Sequence, residues 1–138
     1  MITIRDLEIE DKKYLENLFA QLTQKPVKLD PVFLKESDFS HCRVIDDDGK
    51  IIGFAALIIH PVPTKGLVGR VEDVVIDEKY RGRGLGRKIM EDLIDIARRE
   101  KIEILNLTSN PRRVPARKLY ESLGFQLSDT GVFWMKLK

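Results

Sequence analysis

The chain of 138 residues has one cysteine, Cys42, and two histidines, His41 and His60. One cysteine excludes an intrachain disulfide and any paired-cysteine zinc site. The sequence carries no H-E-x-x-H, so no metal is expected. No apolar run approaches the roughly 20 residues of a membrane helix, so no membrane partner is expected. Charge of one sign is also scarce: 24 basic against 22 acidic residues leave a formal net charge of +2. So small a surplus gives no argument for a nucleic-acid partner. The N-terminal stretch Met1 to Asp6 lacks the apolar centre of a secretory signal, and with the cysteine count this predicts a reducing, cytoplasmic compartment. Low-complexity segments and internal repeats are absent, and the length suits a single domain over 1–138.

What is present is hydrophobic patterning of alternating period. Met1 to Arg5 alternates as a short strand. Asp11 to Gln24 places Tyr14, Leu15, Leu18, Phe19 and Leu22 on one helical stripe. Pro26 and Pro31 bracket a break, and Val32 to Lys35 begins a second short helix. Cys42 to Ile45, the turn Asp46-Asp47-Asp48-Gly49 and Lys50 to Ile59 read as a hairpin, interrupted beyond by Pro61-Val62-Pro63. Leu67 to Ile76 is a β-branched strand. Leu85, Ile89, Met90, Leu93, Ile94 and Ala97 mark a helix to about Glu100. Ile102 to Thr108 is a strand, Pro115 to Leu123 a helix capped by Gly124, and Phe125 to Leu127 and Val132 to Leu137 a final pair of strands. Consecutive strands favour hairpins and the intervening helices favour crossovers. The predicted fold is therefore α/β, a mixed, mostly antiparallel sheet with helices on both faces.

Between a strand and a helix lies Arg81-Gly82-Arg83-Gly84-Leu85-Gly86, followed by Arg87. The first N–H groups of a helix have no internal partner, and the helix dipole adds positive character there. Glycines let a diphosphate approach the backbone, and the arginines add charge. A Walker loop is excluded, because no Gly-Lys-Ser/Thr follows. A dinucleotide fingerprint is excluded too, because the glycines read G-x-G-x-G and no acidic partner occupies a second strand at the right distance.

The R-x-x-G-x-G pattern at Arg81–Gly86 resembles the acetyl-CoA signature of the GCN5-related N-acetyltransferases (GNAT). Leu119-Tyr120-Glu121-Ser122-Leu123-Gly124-Phe125 resembles that family's L-Y-x-x-x-G-F segment. The likeness covers about Lys50 to Leu137, and around Gly69 to Asp73 it is similar to glucosamine-6-phosphate N-acetyltransferases. It implies acetyl-CoA as cosubstrate, a small-molecule or protein amine as acceptor, and Arg81, Gly82, Arg83, Gly84, Leu85, Gly86 and Arg87 as the pyrophosphate cradle. By the same resemblance Val74, Val75 and Ile76 offer backbone groups to the pantetheine arm. Tyr120 stands where the family commonly has the acid that meets the leaving thiolate.

A protonated amine must lose a proton before it attacks a thioester, and Glu72, on the strand leading to the cradle, is the candidate base; the resemblance points to the same position. In a regular strand Asp73 faces the other way. The chain departs from the family's asparagine three positions before the alanine of the tyrosine helix: Arg113 stands there, and Asn110 lies three residues earlier. Either is a candidate coenzyme contact, and Asn110 is equally a turn residue. His41, His60 and Cys42 read as structural, and Phe133 and Trp134 as core or interface. With no activated nucleophile in view, direct transfer in a ternary complex is expected. The rival reading is a non-catalytic acyl-CoA-binding or sensing module, which needs the cradle but neither Glu72 nor Tyr120. The segment Lys25 to Ser40 is expected to shape the acceptor pocket, and the apolar C-terminal strand makes a homodimer plausible.

Overall fold

Alternation along one strand separates the two faces of the sheet. In β2 (Ser40–Asp47), Cys42 and Val44 pack against Leu15, Leu18 and Phe19 of α1 (Lys12–Thr23). Arg43, between them, points the opposite way, and its Nε and Nη2 donate to Asp92 of α3 (Leu85–Arg99) at 2.8 and 3.1 Å. Helices therefore cover both faces, as the sequence pattern requires. The computed structural model describes residues 1–28, 30–35 and 38–138, in two units, Met1–Leu107 and Thr108–Lys138.

The first unit is a five-stranded sheet in the order β1 (Ile2–Asp6), β2, β3 (Lys50–Val62), β4 (Gly66–Ile76), β5 (Ile104–Asn106). The first four strands are antiparallel neighbours, and β5 joins parallel to β4 after the crossover through α3. On the α1 face Phe54 of β3 meets Phe19 edge-on at 4.9 Å and 87°. The α3 face buries Leu85, Ile89, Met90, Leu93, Ile96 and Ala97, the stripe its sequence spacing specifies. Each such large side chain contributes about 1.5–3 kcal/mol by leaving water. The turn into α1 is fixed by a nearly buried carboxylate: Asp11 accepts from Arg5 Nη1 and Nη2, both at 2.9 Å, and from the Glu8 N–H at 2.8 Å. Two of those donors carry a full positive charge between them, which compensates the burial of Asp11.

α2 (Pro31–Lys35) is short, and Lys35 ties it back by donating to Leu7 O at 3.1 Å and Glu8 Oε2 at 2.9 Å. Of the segment Lys25 to Ser40 expected to shape an acceptor pocket, Leu29, Glu36 and Ser37 lie outside the described residues. The prolines after Ile59 do not end β3 as expected. The strand runs to Val62, with Pro61 opposite Leu67. β2 begins opposite Ile58, so beyond it β3 is an edge, where a residue without an N–H breaks no ladder. β5 is shorter than Ile102 to Thr108 because its pairing with β4 is limited to Val68–Arg70.

The second unit contains α4 (Val114–Ser122). Gly124, at φ 103°, closes it by donating to Glu121 O at 3.0 Å. The strands expected at Phe125 to Leu127 and Val132 to Leu137 do not form: no strand follows β5 among the described residues. Their sequences have strand propensity, but a strand exists only with a ladder partner, and none is supplied there. Among the described residues no helix is long and apolar enough to cross a membrane.

Candidate active site

β4 is paired on both sides for only part of its length. Val68, Gly69 and Arg70 lie between β3 and β5, opposite Ile104, Leu105 and Asn106. Past Arg70 the strand keeps β3 but has no β5 partner, so among the described residues the sheet splits at this point. The register against β3 slips there as well: Ala56 opposes Glu72 while Phe54 opposes Val75, so β4 carries one extra residue. Asp73 takes up the slack in the left-handed region, at φ 54°. This is a β-bulge, which twists and bends its strand. It corrects the regular alternation assumed for Glu72 and Asp73. Val74, Val75 and Ile76 follow it along the one-sided stretch, with Val75 packed into the α1-face core.

Glu72 shares a face with Ala56, hence with α1. Arg70, two residues before it on the same face, donates through Nε to Glu72 Oε1, and both side chains are about two-fifths exposed. A cation in reach of this carboxylate competes with Arg70 for it. The neighbouring Asp73 carboxyl is held above the ordinary carboxylate range, first by partial burial and then by the charge of Glu72, although the residue keeps an exposed surface. Asn106, the register partner of Arg70, has its side-chain oxygen buried without a hydrogen-bond partner. Arg70 and Asn106 were not singled out in the sequence. The R-x-E spacing on a strand signals the first; the second becomes visible only through the β4–β5 register.

Beyond β4, Asp77 is buried and anchors a 3₁₀ turn over Glu78–Tyr80, accepting from the Lys79 N–H at 3.0 Å. Arg81 Nε donates back to Ile76 O at 3.1 Å, which ties the start of the cradle to the end of β4. Gly82 and Gly84 both have positive φ, 79° and 76°, and a Cβ at either would meet nothing within 4 Å. The space over these two residues is therefore open, and the conformation favours residues without a Cβ. Gly84 is the N-cap of α3 and supplies no side-chain cap, so no capping side chain satisfies the N–H groups of Leu85, Gly86 and Arg87. Leu85 is buried and fixes the helix start against the sheet.

Positive charge rings this turn. The Arg83 guanidinium lies 4.9 Å from the Tyr80 ring centroid, and Lys50 Nζ lies 5.6 Å from the same ring. Tyr80 donates to Asp47 Oδ2 at 3.0 Å, which raises its own pKa. Arg87 pairs with Glu91 one turn along the helix at 3.8 Å. A separate groove of about 340 Å³ lies between β1, β2 and α3, lined by Ile4, Ile45, Leu85 and Lys88 among others. It belongs to the α3 face, opposite Glu72.

In the second unit Tyr120 is buried, with the Phe125 ring edge-on at 6.1 Å and 68°. Burial raises its phenol pKa, and the charge of Arg113 partly offsets this. Arg113 is the N-cap of α4. Asn110 serves its own turn: Oδ1 accepts from the Arg112 N–H at 2.9 Å and its carbonyl from the Arg113 N–H at 3.0 Å. Elsewhere, Cys42 is buried and its thiol is pushed up to about 11, chiefly by desolvation, so at neutral pH it is not a nucleophile. His41 faces Glu100 at 3.5 Å, and His60 sits on β3 opposite Val68. Among the described residues no group of three or more His, Cys, Asp or Glu side chains is placed to hold a metal.

Comparison with known proteins follows the same lines. The chain is 42% identical over 80 residues to the glucosamine 6-phosphate N-acetyltransferase of Trypanosoma brucei brucei, a match covering 56% of this chain and 52% of that one. It thus spans about half the length of that relative. Over 107 residues it is 35% identical to the glucosamine 6-phosphate N-acetyltransferase of Arabidopsis thaliana, covering 67% of this chain and 70% of that one. The crystal structure of a Trypanosoma brucei acetyltransferase matches with a TM-score of 0.84 at 30% identity, over 99% of this chain and 100% of that one. Residues 4–125 fit the model of the acetyltransferase (GNAT) family, and the chain belongs to that family.

Proposed function

We propose that the protein is an acetyl-CoA-dependent N-acetyltransferase that moves the acetyl group to a primary amine by direct attack in a ternary complex, the two units acting as one domain over 1–138. The observation that carries this reading is the join of three features in one stretch of chain. These are a β4 edge without a β5 partner, a bulge, and a glycine turn with open space over an uncapped helix N-terminus. An extended pantetheine arm adds to such an edge as a further strand would, through the backbone of Val74, Val75 and Ile76. A diphosphate suits the N–H groups of Gly82 to Arg87 and the charges of Arg81 and Arg83. Acetyl-CoA supplies the thioester carbonyl.

The chain's own groups do the rest. Glu72, released from Arg70 by the incoming ammonium, accepts the amine proton directly or through water. The amine nitrogen bonds to the carbonyl carbon, the carbon–sulfur bond breaks, and Tyr120 gives its proton to the departing thiolate. A raised phenol pKa keeps Tyr120 protonated for that step. The role of Tyr120 rests on its family motif; Arg113 and Asn110, where the chain departs from the family's asparagine, are proposed as coenzyme contacts, Arg113 through its charge toward phosphate. The only cysteine is buried and protonated, which supports direct transfer over a cysteine-bound acetyl intermediate.

Both named relatives act on glucosamine 6-phosphate, which makes it the first acceptor to try, ahead of polyamines and peptide amines. The test is thiol release from acetyl-CoA with each amine, run on wild type and on the Glu72→Gln/Tyr120→Phe double variant. Turnover that disappears in a double variant still binding acetyl-CoA supports the enzyme. Binding with no turnover on any acceptor favours the acyl-CoA-binding module instead.

A further inference from the structure

The charged pairs of the sheet differ in what they join. Arg5 reaches Asp11 at 2.9 Å and Asp46 at 3.0 Å, and Arg43 reaches Asp6 at 2.7 Å and Asp92 at 2.8 Å, so each arginine ties separate elements together. The bond from Arg70 Nε to Glu72 Oε1 instead joins two residues of one strand. It holds no element against another, and an ion pair this exposed adds little to stability. Across the ladder the register partners of the two charges are apolar, Ile58 opposite Arg70 and Ala56 opposite Glu72, both belonging to the α1-face core.

The pair also stands where an acceptor has to come, because Glu72 is the carboxylate assigned to the amine proton; the inference rests on that reading. An ammonium arriving at Glu72 takes the place of Arg70 and removes the acceptor from its Nε. Separating a hydrogen-bonded ion pair costs more than a single new contact returns, unless the newcomer supplies the second charge as well. Side chains two positions apart on a strand stand about 7 Å apart when parallel, which sets the span between those two charges. A guanidinium suits either carboxylate or phosphate, since both accept its parallel N–H groups.

We propose that the acceptor is a compact zwitterion, a primary amine with a carboxylate or phosphate within ~7 Å of its nitrogen, and that it exchanges with the Arg70–Glu72 pair, its ammonium taking Glu72 and its anion Arg70. Arg70 is then the residue that selects the acceptor. Glucosamine 6-phosphate, whose charges stand on opposite sides of the sugar ring, lacks this spacing. The test compares matched amines, γ-aminobutyrate with γ-aminobutyramide and phosphoethanolamine with ethanolamine, on wild type, Arg70→Gln and Arg70→Lys. Thiol release from acetyl-CoA gives kcat and KM, and calorimetric titration of the same amines into the coenzyme A complex reads binding without chemistry. Wild type is expected to favour an anionic member at least ~10-fold, chiefly in KM. A preference in one pair alone identifies the anion. Arg70→Gln is expected to raise the KM of that zwitterion ~10-fold and to lower the KM of its neutral counterpart ~2–5-fold, because no guanidinium then competes for Glu72. A merely structural Arg70 would move both amines in the same direction. Arg70→Lys, which keeps the charge, is expected to retain part of the preference, and it carries the test if circular dichroism shows Arg70→Gln unfolded. Zwitterion binding that depends on Arg70, with no thiol release from any amine, would remove the transfer reading and leave this proposal standing. Equal binding of both members of each pair to wild type overturns the proposal. So do absence of zwitterion binding and a preference that the Arg70 variants leave intact.

Discussion

The two halves of β4 have opposite surroundings. Gly66–Arg70 is flanked by β3 and β5, and Glu72–Ile76 by β3 only, with the bulge at Asp73 between them. In the first half the backbone groups have neighbours in the sheet and the side chains interlock: a Cβ on Gly69 would meet methyls of Leu57, Ile102 and Leu105 at 3.0 Å. In the second half one row of backbone groups has no ladder partner among the described residues, and the strand runs on into a turn with room above its glycines. The same strand thus does structural work at one end and presents binding groups at the other. A single extra residue divides the two.

Substitutions in the two halves are therefore expected to differ in kind. The largest effect is expected from Glu72→Gln: kcat lower by about 10²–10⁴-fold with acetyl-CoA affinity unchanged, measured by steady-state kinetics beside calorimetry. A variant near wild-type rate would remove Glu72 as the base. Tyr120→Phe is expected to cost less, roughly 10–100-fold in kcat, because a thiol of pKa near 8.5 is already a fair leaving group. Gly69→Val, in the flanked half, is expected to lower stability by about 1–3 kcal/mol through overpacking. Its turnover per folded molecule should stay intact, as a denaturant titration with an activity assay would show. An activity loss without a stability loss would erase the distinction between the halves.

The smallest effect concerns the bulge. The native Asp73 carboxyl is raised, so between the unfolded value of 3.8 and the higher folded value the native state binds more protons than the unfolded one. Stability from this group is therefore present below that window and lost as pH rises through it. Asp73→Asn removes the charging penalty. The variant is expected to gain more on wild type at pH 7 than at pH 3, by up to about 0.5 kcal/mol, since the exposed residue is partly screened. Equal gains at both pH values would mean that asparagine's tolerance of positive φ explains the whole effect.

Much of this was legible in the sequence. The apolar stripes of α1 and α3, the Asp-Gly turn and the strand before the cradle need only local periodicity, and they lie where the pattern sets them. Three features were not legible. The continuation of β3 through Pro61 depends on where β2 begins, which is a tertiary fact. The bulge at Asp73 replaces one alternation by another without any glycine or proline to mark it. The tail from Phe125 onward has the pattern of strands without a partner in its own unit, and pattern alone names no partner. In the candidate site the glycines and Glu72 carried their own signal, while Arg70 and Asn106 became visible only through register.

The central claim is that the open half of β4 and the turn after it bind acetyl-CoA, and calorimetric titration of acetyl-CoA into wild type and Gly84→Glu tests it most directly. The new carboxylate would fill the space over the α3 N-terminus with charge of the same sign as a diphosphate. Saturable binding to wild type, lost in a variant whose circular dichroism is unchanged, is the expected result. Absence of binding to wild type, or equal binding to a folded Gly84→Glu, would contradict the account.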